Sequence, residues 1–293
     1  MLRVLQMSAR QLAIVPIVAL ASYFLMAALP LPTDADSKRA VRKELIASYR
    51  DDLGLGQPFG FLRPWQKLFS GERLGTTAQG VTGGELFQKL LGSVTVGAIA
   101  LLLALVWALL FASVRAAFGK ASTATDAVSA AAFGTPVFIP ALLIAPYVVE
   151  AGHLLPELAA AFVISIWPGV FLGTLIADAM QEESRRDYLR TARGKGAAPA
   201  QIWWRHLVPN VIPALLDALP PVATALLAGS FAAERVFNLP YFGQLYVLAV
   251  LQKQLPVVVV ATTLFATVLV VVRLLVEWAR LFADPRAREE RSS

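Results

Sequence analysis

Three residues whose types could do chemistry lie in or beside one apolar segment, Leu207 to Ala233. Asp217 stands inside this segment, Glu234 follows its end, and Ser230 lies between them. A carboxylate in a membrane costs about 3 kcal/mol on insertion scales, so it normally faces a water-filled cavity or a partner charge. We therefore treat these three residues as candidates for a translocation path or its gate. An equal alternative to a path role for Asp217 is that it pairs with a neighbouring helix or that its carboxylate reaches the membrane interface. The alternative to a gate role for Glu234 is a hydrogen bond within its own loop.

Patterns that would indicate catalysis or metal binding are incomplete or absent from the sequence. Gly75 to Gly80 has the glycine spacing of a phosphate-binding loop, but Val81 and Thr82 follow where Lys and Ser or Thr are needed. The chain has no cysteine and two histidines, and the isolated His153 is better explained as a solvated loop residue than as a metal ligand. We expect no catalytic residue, no metal and no cofactor in this chain, so that energy for any transport comes from a partner.

The composition places the chain in a membrane. Of its 293 residues 57% are hydrophobic and 16% are charged, and the mean hydropathy is +0.63. A soluble domain is typically about 45–50% apolar. The formal net charge of +6 comes from basic residues beside apolar runs. Orientation in the bilayer explains these residues better than a nucleic-acid partner does.

Hydropathy predicts an all-α polytopic protein with six transmembrane helices. Arg115 and Lys120 mark one connection as cytoplasmic, whereas Glu150 and Glu157 flank a connection without Lys or Arg, and both termini are then cytoplasmic. A cleaved signal peptide is the alternative for the first span, but the apolar run continues beyond the candidate cleavage site. The predicted spans are Leu12–Leu29, Leu90–Val114, Ala127–Val149, Leu158–Ala177, Leu207–Ala233 and Gln254–Val272, with Gly134, Pro136, Pro140, Pro146 and Pro168 expected to kink the helices or allow close packing.

A polar segment of about 60 residues separates the first two spans. Ser37 to Tyr49 has the pattern of a short amphipathic helix, and Gly54 to Gly84 is rich in glycine and aromatic residues. The segment is predicted to form a folded extracytoplasmic insert, with a long solvated loop as the alternative.

A second polar segment, Arg186 to Pro213, lies on the predicted cytoplasmic side. Arg190 to Lys195 is expected to form one short helix, Gly196 to end it with a positive φ, and Pro199 to begin a second helix. The result is a compact basic pair of helices, typical of a docking element.

The spacing within this segment resembles a known signature. Arg190-Thr191-Ala192, then Gly196, then His206-Leu207-Val208-Pro209 is similar to the EAA loop of permease subunits of binding-protein-dependent ABC importers. The stretches DYLRTARGKG and RHLVPN resemble the dipeptide, oligopeptide and nickel branch of that family. Three further blocks resemble the same branch and come in the same order: Leu53 to Thr76, Glu234 to Gly243, and Asp284-Pro285-Arg286.

The resemblance implies a type I importer permease in the bacterial inner membrane, with four regions. These are an N-terminal transmembrane helix at 1–30, an extracytoplasmic insert at 31–89, a permease core at 90–281 that includes a coupling loop at 181–207, and a cytoplasmic tail at 282–293. It also implies the residues that couple the permease to the ATPase, namely Tyr188, Arg190, Thr191, Ala192, Arg193, Lys195, Gly196 and His206.

The implied partners are two ABC ATPase subunits that bind ATP and Mg²⁺, a second homologous permease, an extracytoplasmic substrate-binding protein and the lipid bilayer. Two other functions stay open at this point: a secondary transporter that uses Asp217 as its ion or proton carrier, and a membrane enzyme that acts on phosphorylated lipid. The residues do not decide between dipeptides, oligopeptides, nickel or another solute, or between an identical and a different permease partner.

Overall fold

The computed structural model describes residues 9–28, 39–75, 80–118, 123–148, 154–202, 205 and 208–283. These residues are helical, apart from turns and one antiparallel bridge between Leu74 and Val81. In chain order the helices are α1 (Ile14–Ala28), α2 (Arg39–Leu53), α3 (Arg63–Ser70), α4 (Gly83–Phe118), α5 (Thr123–Gly134), α6 (Phe138–Val148), α7 (Leu154–Ser184), α8 (Asp187–Gly194), α9 (Pro199–Ile202), α10 (Val208–Val236), α11 (Phe242–Leu251) and α12 (Leu255–Ala283).

The described helices contain five long apolar spans, and a sixth if one bent pair is a single span. The five belong to the segments of α1, α4, α7, α10 and α12, so the prediction of an all-α polytopic protein is confirmed. α4 has 36 residues and is therefore about 54 Å long at 1.5 Å per residue. It begins at Gly83 rather than at the predicted Leu90, because the polar residues near its start continue the helix beyond bilayer length.

The third predicted span, Ala127–Val149, is not one continuous helix. α5 ends at Gly134, α6 begins at Phe138, and the two helices are bent by 84°. Pro136 lies in the break and has no N–H to donate, so an ordinary helical hydrogen bond cannot form there. A kink was the expectation for this proline, whereas the structure has a full break.

The chain divides into two compact units, and α4 and α12 contribute to both. One unit comprises the described parts of Met1–Val94 and Leu239–Val271, and the other those of Thr95–Asn238 and Val272–Ser293. In the second unit α10 packs mainly on α7, and α6 packs on both. A Cβ at Gly169 of α7 would stand 2.4 Å from Trp107 Cβ of α4, which shows that glycine permits the close approach of these two helices.

In the first unit the segment between α1 and α4 is folded around a buried charge cluster. Lys67 Nζ donates to Asp51 Oδ2 at 2.7 Å and to Asp52 Oδ1 at 2.6 Å, and the backbone N–H of Gly75 donates to Asp52 Oδ2 at 3.1 Å. The hydrogen bond from Lys67 is the main reason that the pKa of Asp51 is lowered. Burial alone would lower the pKa of Lys67, but its hydrogen bonds to the two aspartates outweigh burial and raise it.

Replacement of Lys67 by methionine is expected to destabilise this segment by about 3 kcal/mol, because it leaves the buried Asp52 carboxylate without its cation. The expected result is faster cleavage between residues 39 and 75 by a protease added to the side of the membrane that this segment is predicted to face. The double variant Lys67→Met with Asp52→Leu should recover most of the resistance, since removing both charges leaves no buried ion. Equal cleavage of the single variant and the parent protein would contradict the role of the cluster.

The pH dependence of this resistance follows from the two pKa shifts. Asp51 has a lowered pKa, so its contribution is present above its ordinary pKa and is lost as the pH falls through the lowered value. Lys67 has a raised pKa, so its contribution is present below its ordinary pKa and is lost as the pH rises through the raised value. We expect constant resistance between about pH 5 and 9.

Candidate docking site and membrane charges

The docking element is the helix pair α8–α9, joined by a glycine turn. Gly196 has φ +79°, as its position after the first helix predicted. The N–H of Ala197 donates to the carbonyl of Ala192 at 3.1 Å, which is the long hydrogen bond of a Schellman motif with Gly196 as its left-handed residue. The second helix begins at Pro199, as predicted. The first begins at Asp187 rather than Arg190, because an acidic residue suits the first turn of a helix.

One face of this helix pair is buried and the other is exposed. Leu189 is 0% exposed and packs with Ile202 against Met180 at the end of α7. Thr191, Lys195 and Gly196 are exposed. The apolar contact therefore attaches the pair to the end of a membrane helix and leaves its other face accessible to a partner.

A polar network attaches the same helix pair to two membrane helices. The Tyr188 hydroxyl donates to the Glu183 carboxylate in the last turn of α7. Asn210 Nδ2, in the first turn of α10, donates to Glu183 Oε1 at 3.2 Å and to Tyr188 Oη at 3.1 Å. Burial and the hydrogen bond to Glu183 both raise the pKa of Tyr188, so its hydroxyl keeps its proton.

The structure places most of the predicted coupling residues together. Tyr188, Arg190, Thr191, Ala192 and Arg193 belong to α8, and Lys195 and Gly196 form the turn. His206, the other coupling candidate, lies outside the described residues, as do His153 and the Asp284-Pro285-Arg286 block. The assignment of these residues to ATPase coupling stays a prediction.

The three membrane candidates occupy one helix, α10. Asp217 forms an ion pair with Arg280 of α12, which was one of the alternatives left open by the sequence. Ser230 is buried, and its hydroxyl donates to the carbonyl of Leu227 at 2.9 Å within the helix. Glu234 is fully buried in the last turn of α10. Their place in a path or gate stays a prediction.

The Asp217–Arg280 pair gives a test that separates a structural charge from a transport charge. Replacing Asp217 by alanine leaves Arg280 without its counter-charge, and we expect about 1 kcal/mol of destabilisation because both side chains are partly exposed. Faster loss of the folded peak on size-exclusion chromatography after heating would measure it. The exchanged variant Asp217→Arg with Arg280→Asp should restore heat resistance and transport. Heat resistance restored without transport would instead assign Asp217 to the path.

Two features were not predicted from the sequence. They are the side chains that hold the α8–α9 pair, Glu183 and Asn210, and a group of charges around Arg115 in the same unit. Arg115, which was used only to orient the membrane spans, lies 3.4 Å from Asp126 and 3.8 Å from Asp178. Asp178 also lines a cavity of about 730 Å³ together with Phe133, Phe171, Thr174, Leu175, Ala179, Gln181, Glu182 and Arg185. The only sequence signal was the presence of charges near the ends of apolar runs. Within the described ranges, no group of three or more acidic or histidine side chains could hold a metal ion.

Long apolar helices and an anchored pair of short polar helices define the chain as a multi-pass membrane protein with a candidate docking element. Residues 104–289 match the family described as binding-protein-dependent transport system inner membrane component. Because the match covers more than half of the chain, the chain belongs to this family, and it is an inner-membrane protein.

The chain is also similar to curated proteins that are named as permeases of peptide transport systems. The chain is 29% identical over 125 residues to the dipeptide transport system permease protein DppB of Bacillus subtilis, covering 43% of this chain and 41% of that protein. It is 32% identical over 131 residues to the di/tripeptide transport system permease protein DppB of Pseudomonas aeruginosa, covering 45% of this chain and 39% of that protein. It is 25% identical over 268 residues to the probable peptide ABC transporter permease protein y4tP of Sinorhizobium fredii, covering 84% of this chain and 86% of that protein. The chain thus spans less than half of the first two relatives.

Proposed function

We propose that this chain is a permease subunit of an ATP-driven importer of peptides and forms half of its translocation path. The observation that carries the proposal is the α8–α9 pair, which is closed by the Gly196 turn and attached to the ends of α7 and α10. Such a pair can pass a displacement of a bound cytoplasmic subunit to two membrane helices. The family membership supports the same function.

The other subunits follow from this assignment. Two ATPase subunits bind ATP and Mg²⁺ and hold the helix pairs of this chain and of a second, homologous permease. A substrate-binding protein delivers the solute on the extracytoplasmic side. Both termini of this chain are cytoplasmic, which agrees with the placement of basic residues by the positive-inside rule. The chain does not hydrolyse ATP itself, because Gly75 to Gly80 lacks the lysine that a phosphate-binding loop needs.

The transport cycle can be described through the docking element. When the ATPase subunits close on ATP, the two helix pairs move together and the path opens outward; hydrolysis reverses the movement. The helix pair of this chain transmits the movement because the apolar contact of Leu189 ties it to α7 and the Tyr188 network ties it to α7 and α10.

The proposed solute class is a short peptide. This choice is supported by the names of the relatives, which describe dipeptide, di/tripeptide and peptide permeases. Nickel is the competing solute, because the sequence blocks resemble a branch that includes nickel permeases.

The first experiment is to tag the chain, purify it gently from native membranes and identify the bound proteins by mass spectrometry. Co-purification of phosphate-binding-loop ATPases with a second six-span permease is the expected result. Uptake of a labelled dipeptide should then disappear in cells that lack those ATPases. Recovery of the chain alone, together with uptake that is independent of the ATPases, would favour a gradient-driven transporter and overturn the proposal.

A further inference from the structure

A row of four aromatic rings connects the first membrane helix to a turn of the folded segment that follows it. Tyr23 of α1 contacts Phe24 with ring centroids 5.5 Å apart, and it contacts Phe61 at 6.4 Å. Phe61 in turn contacts Phe59 at 6.4 Å. The first ring of the row, Phe24 of α1, is 64% exposed, and the last ring, Phe59, is 74% exposed.

The backbone holds Phe59 in an unusual conformation. Its φ is +58°, a value that bulky residues rarely adopt. The turn is fixed by hydrogen bonds from the N–H of Gly60 to the carbonyl of Gln57 at 3.1 Å and from the N–H of Leu62 to the carbonyl of Phe59 at 3.0 Å. A Cβ on Gly60 would lie 1.9 Å from the carbonyl oxygen of Gly54, so the two glycines bring the ends of the turn together. A strained phenylalanine that buries little of its ring contributes little to the fold, which points to a role outside it.

The exposed tip of this turn has no charge. Gly56, Gln57, Pro58 and Phe59 are all exposed, and Leu62 beside them is 42% exposed. The nearest basic side chain in sequence, Arg63, lies 3.6 Å from Asp51 of the same segment. The tip therefore presents an aromatic ring and a proline with no ionic group of its own, as is typical of segments that enter a membrane interface.

The position of the row along α1 places it near the end of the hydrocarbon layer. The apolar span Ala9–Ala28 has 20 residues, about the thickness of that layer. Tyr23 lies five residues before the end of the span, about 7.5 Å along the helix axis. Phe59 is two ring-to-ring steps of 6.4 Å from Tyr23. The tip is therefore within reach of the interface at which α1 leaves the bilayer.

We propose that the Gly56–Phe59 turn inserts into the lipid interface at the end of α1, with Phe59 as its anchor. The lipid bilayer is favoured over a protein partner because the aromatic row is continuous with the exposed apolar face of the first span, where Leu25 is also 61% exposed. The anchor would fix the folded segment against the membrane surface. This inference depends on α1 spanning the bilayer and not on the transported solute, so it can fail or hold independently of the proposed function.

The chain contains no cysteine, so a single introduced cysteine can be labelled selectively. Phe59→Cys would be spin-labelled in the full chain, reconstituted in lipid nanodiscs with any subunits that co-purify, and probed with oxygen, which concentrates in lipid, and with a water-soluble nickel chelate. Leu25→Cys in α1 is the lipid reference, and Glu72→Cys, which is exposed after α3, is the aqueous reference. Elution at the parent volume shows that the labelled chain stays folded and does not aggregate.

The expected oxygen-to-nickel accessibility ratio at Phe59→Cys is severalfold above that at Glu72→Cys and close to that at Leu25→Cys. A ratio like that of Glu72→Cys would place the turn in water and overturn the proposal. Low accessibility to both reagents would show that a protein covers the turn, and that result would also overturn it. A second variant, Phe59→Asn, suits the positive φ and should keep the protein folded while increasing protease access to residues 39–75. Unchanged protease access in that variant would argue against an anchoring role.

Discussion

Replacement of Gly196 by valine is expected to reduce ATP-coupled uptake strongly while membrane insertion stays normal. Gly196 has φ +79°, and a Cβ there would meet no atom within 4 Å, so the expected effect comes from the backbone and not from a clash. A branched residue held at such a φ costs about 1–3 kcal/mol. Because about 1.4 kcal/mol corresponds to a factor of ten in an equilibrium constant, the constant for forming the native α8–α9 turn would fall about 5- to 150-fold. Uptake of labelled dipeptide and co-purification of the ATPase subunits measure the loss.

A matched pair of variants shows whether the turn or the surface is responsible. Gly194→Val adds the same side chain to the exposed last residue of α8, but Gly194 has no positive φ. We expect this variant to keep most of its uptake. Gly196→Asn should also keep it, because asparagine tolerates the left-handed region. Normal coupled uptake by Gly196→Val would contradict the docking role, and equal loss in both valine variants would assign the effect to the exposed surface.

The parts of this fold that depend on local chemistry could be predicted from the sequence. Membrane spans are marked by long apolar runs, which is why the five long spans lie where hydropathy placed them. The positive φ of Gly196 and the helix start at Pro199 follow from the backbone preferences of those two residue types. Neither depends on distant contacts.

The features that depend on packing could not be predicted. Pro136 indicated a disturbance in the third span, but the 84° angle between α5 and α6 depends on how α5 packs on α7 and how α6 packs on α7 and α10. Asp217 had two equal interpretations because its partner, Arg280, lies far along the chain in α12. Glu183 and Asn210 looked like ordinary polar residues at the ends of spans, since nothing local shows that both reach Tyr188.

Removal of the Tyr188 hydroxyl is expected to uncouple ATP hydrolysis from uptake without releasing the ATPase subunits. In Tyr188→Phe the ring remains, but Glu183 loses one donor and Asn210 loses one acceptor. The two hydrogen bonds are exposed to solvent, so their loss should cost about 1 kcal/mol, and the attachment of α8 to α7 and α10 should weaken about fivefold. We expect uptake to fall severalfold while ATP turnover and co-purification of the ATPase subunits persist. This pattern differs from that of Gly196→Val, in which docking itself is lost.

Two controls establish that the network, and not the loss of any tyrosine hydroxyl, carries this effect. Tyr147→Phe removes a hydroxyl from a side chain on α6 that is 83% exposed, and uptake should be unchanged. Asn210→Leu should reduce uptake as Tyr188→Phe does. The double variant should be less impaired than the two single losses combined, because both act on one network. Additive losses in the double variant would show that Tyr188 and Asn210 act separately. Full uptake in Tyr188→Phe would contradict the role of the network and would leave the apolar contact of Leu189 as the attachment that transmits movement from the ATPase to the membrane helices.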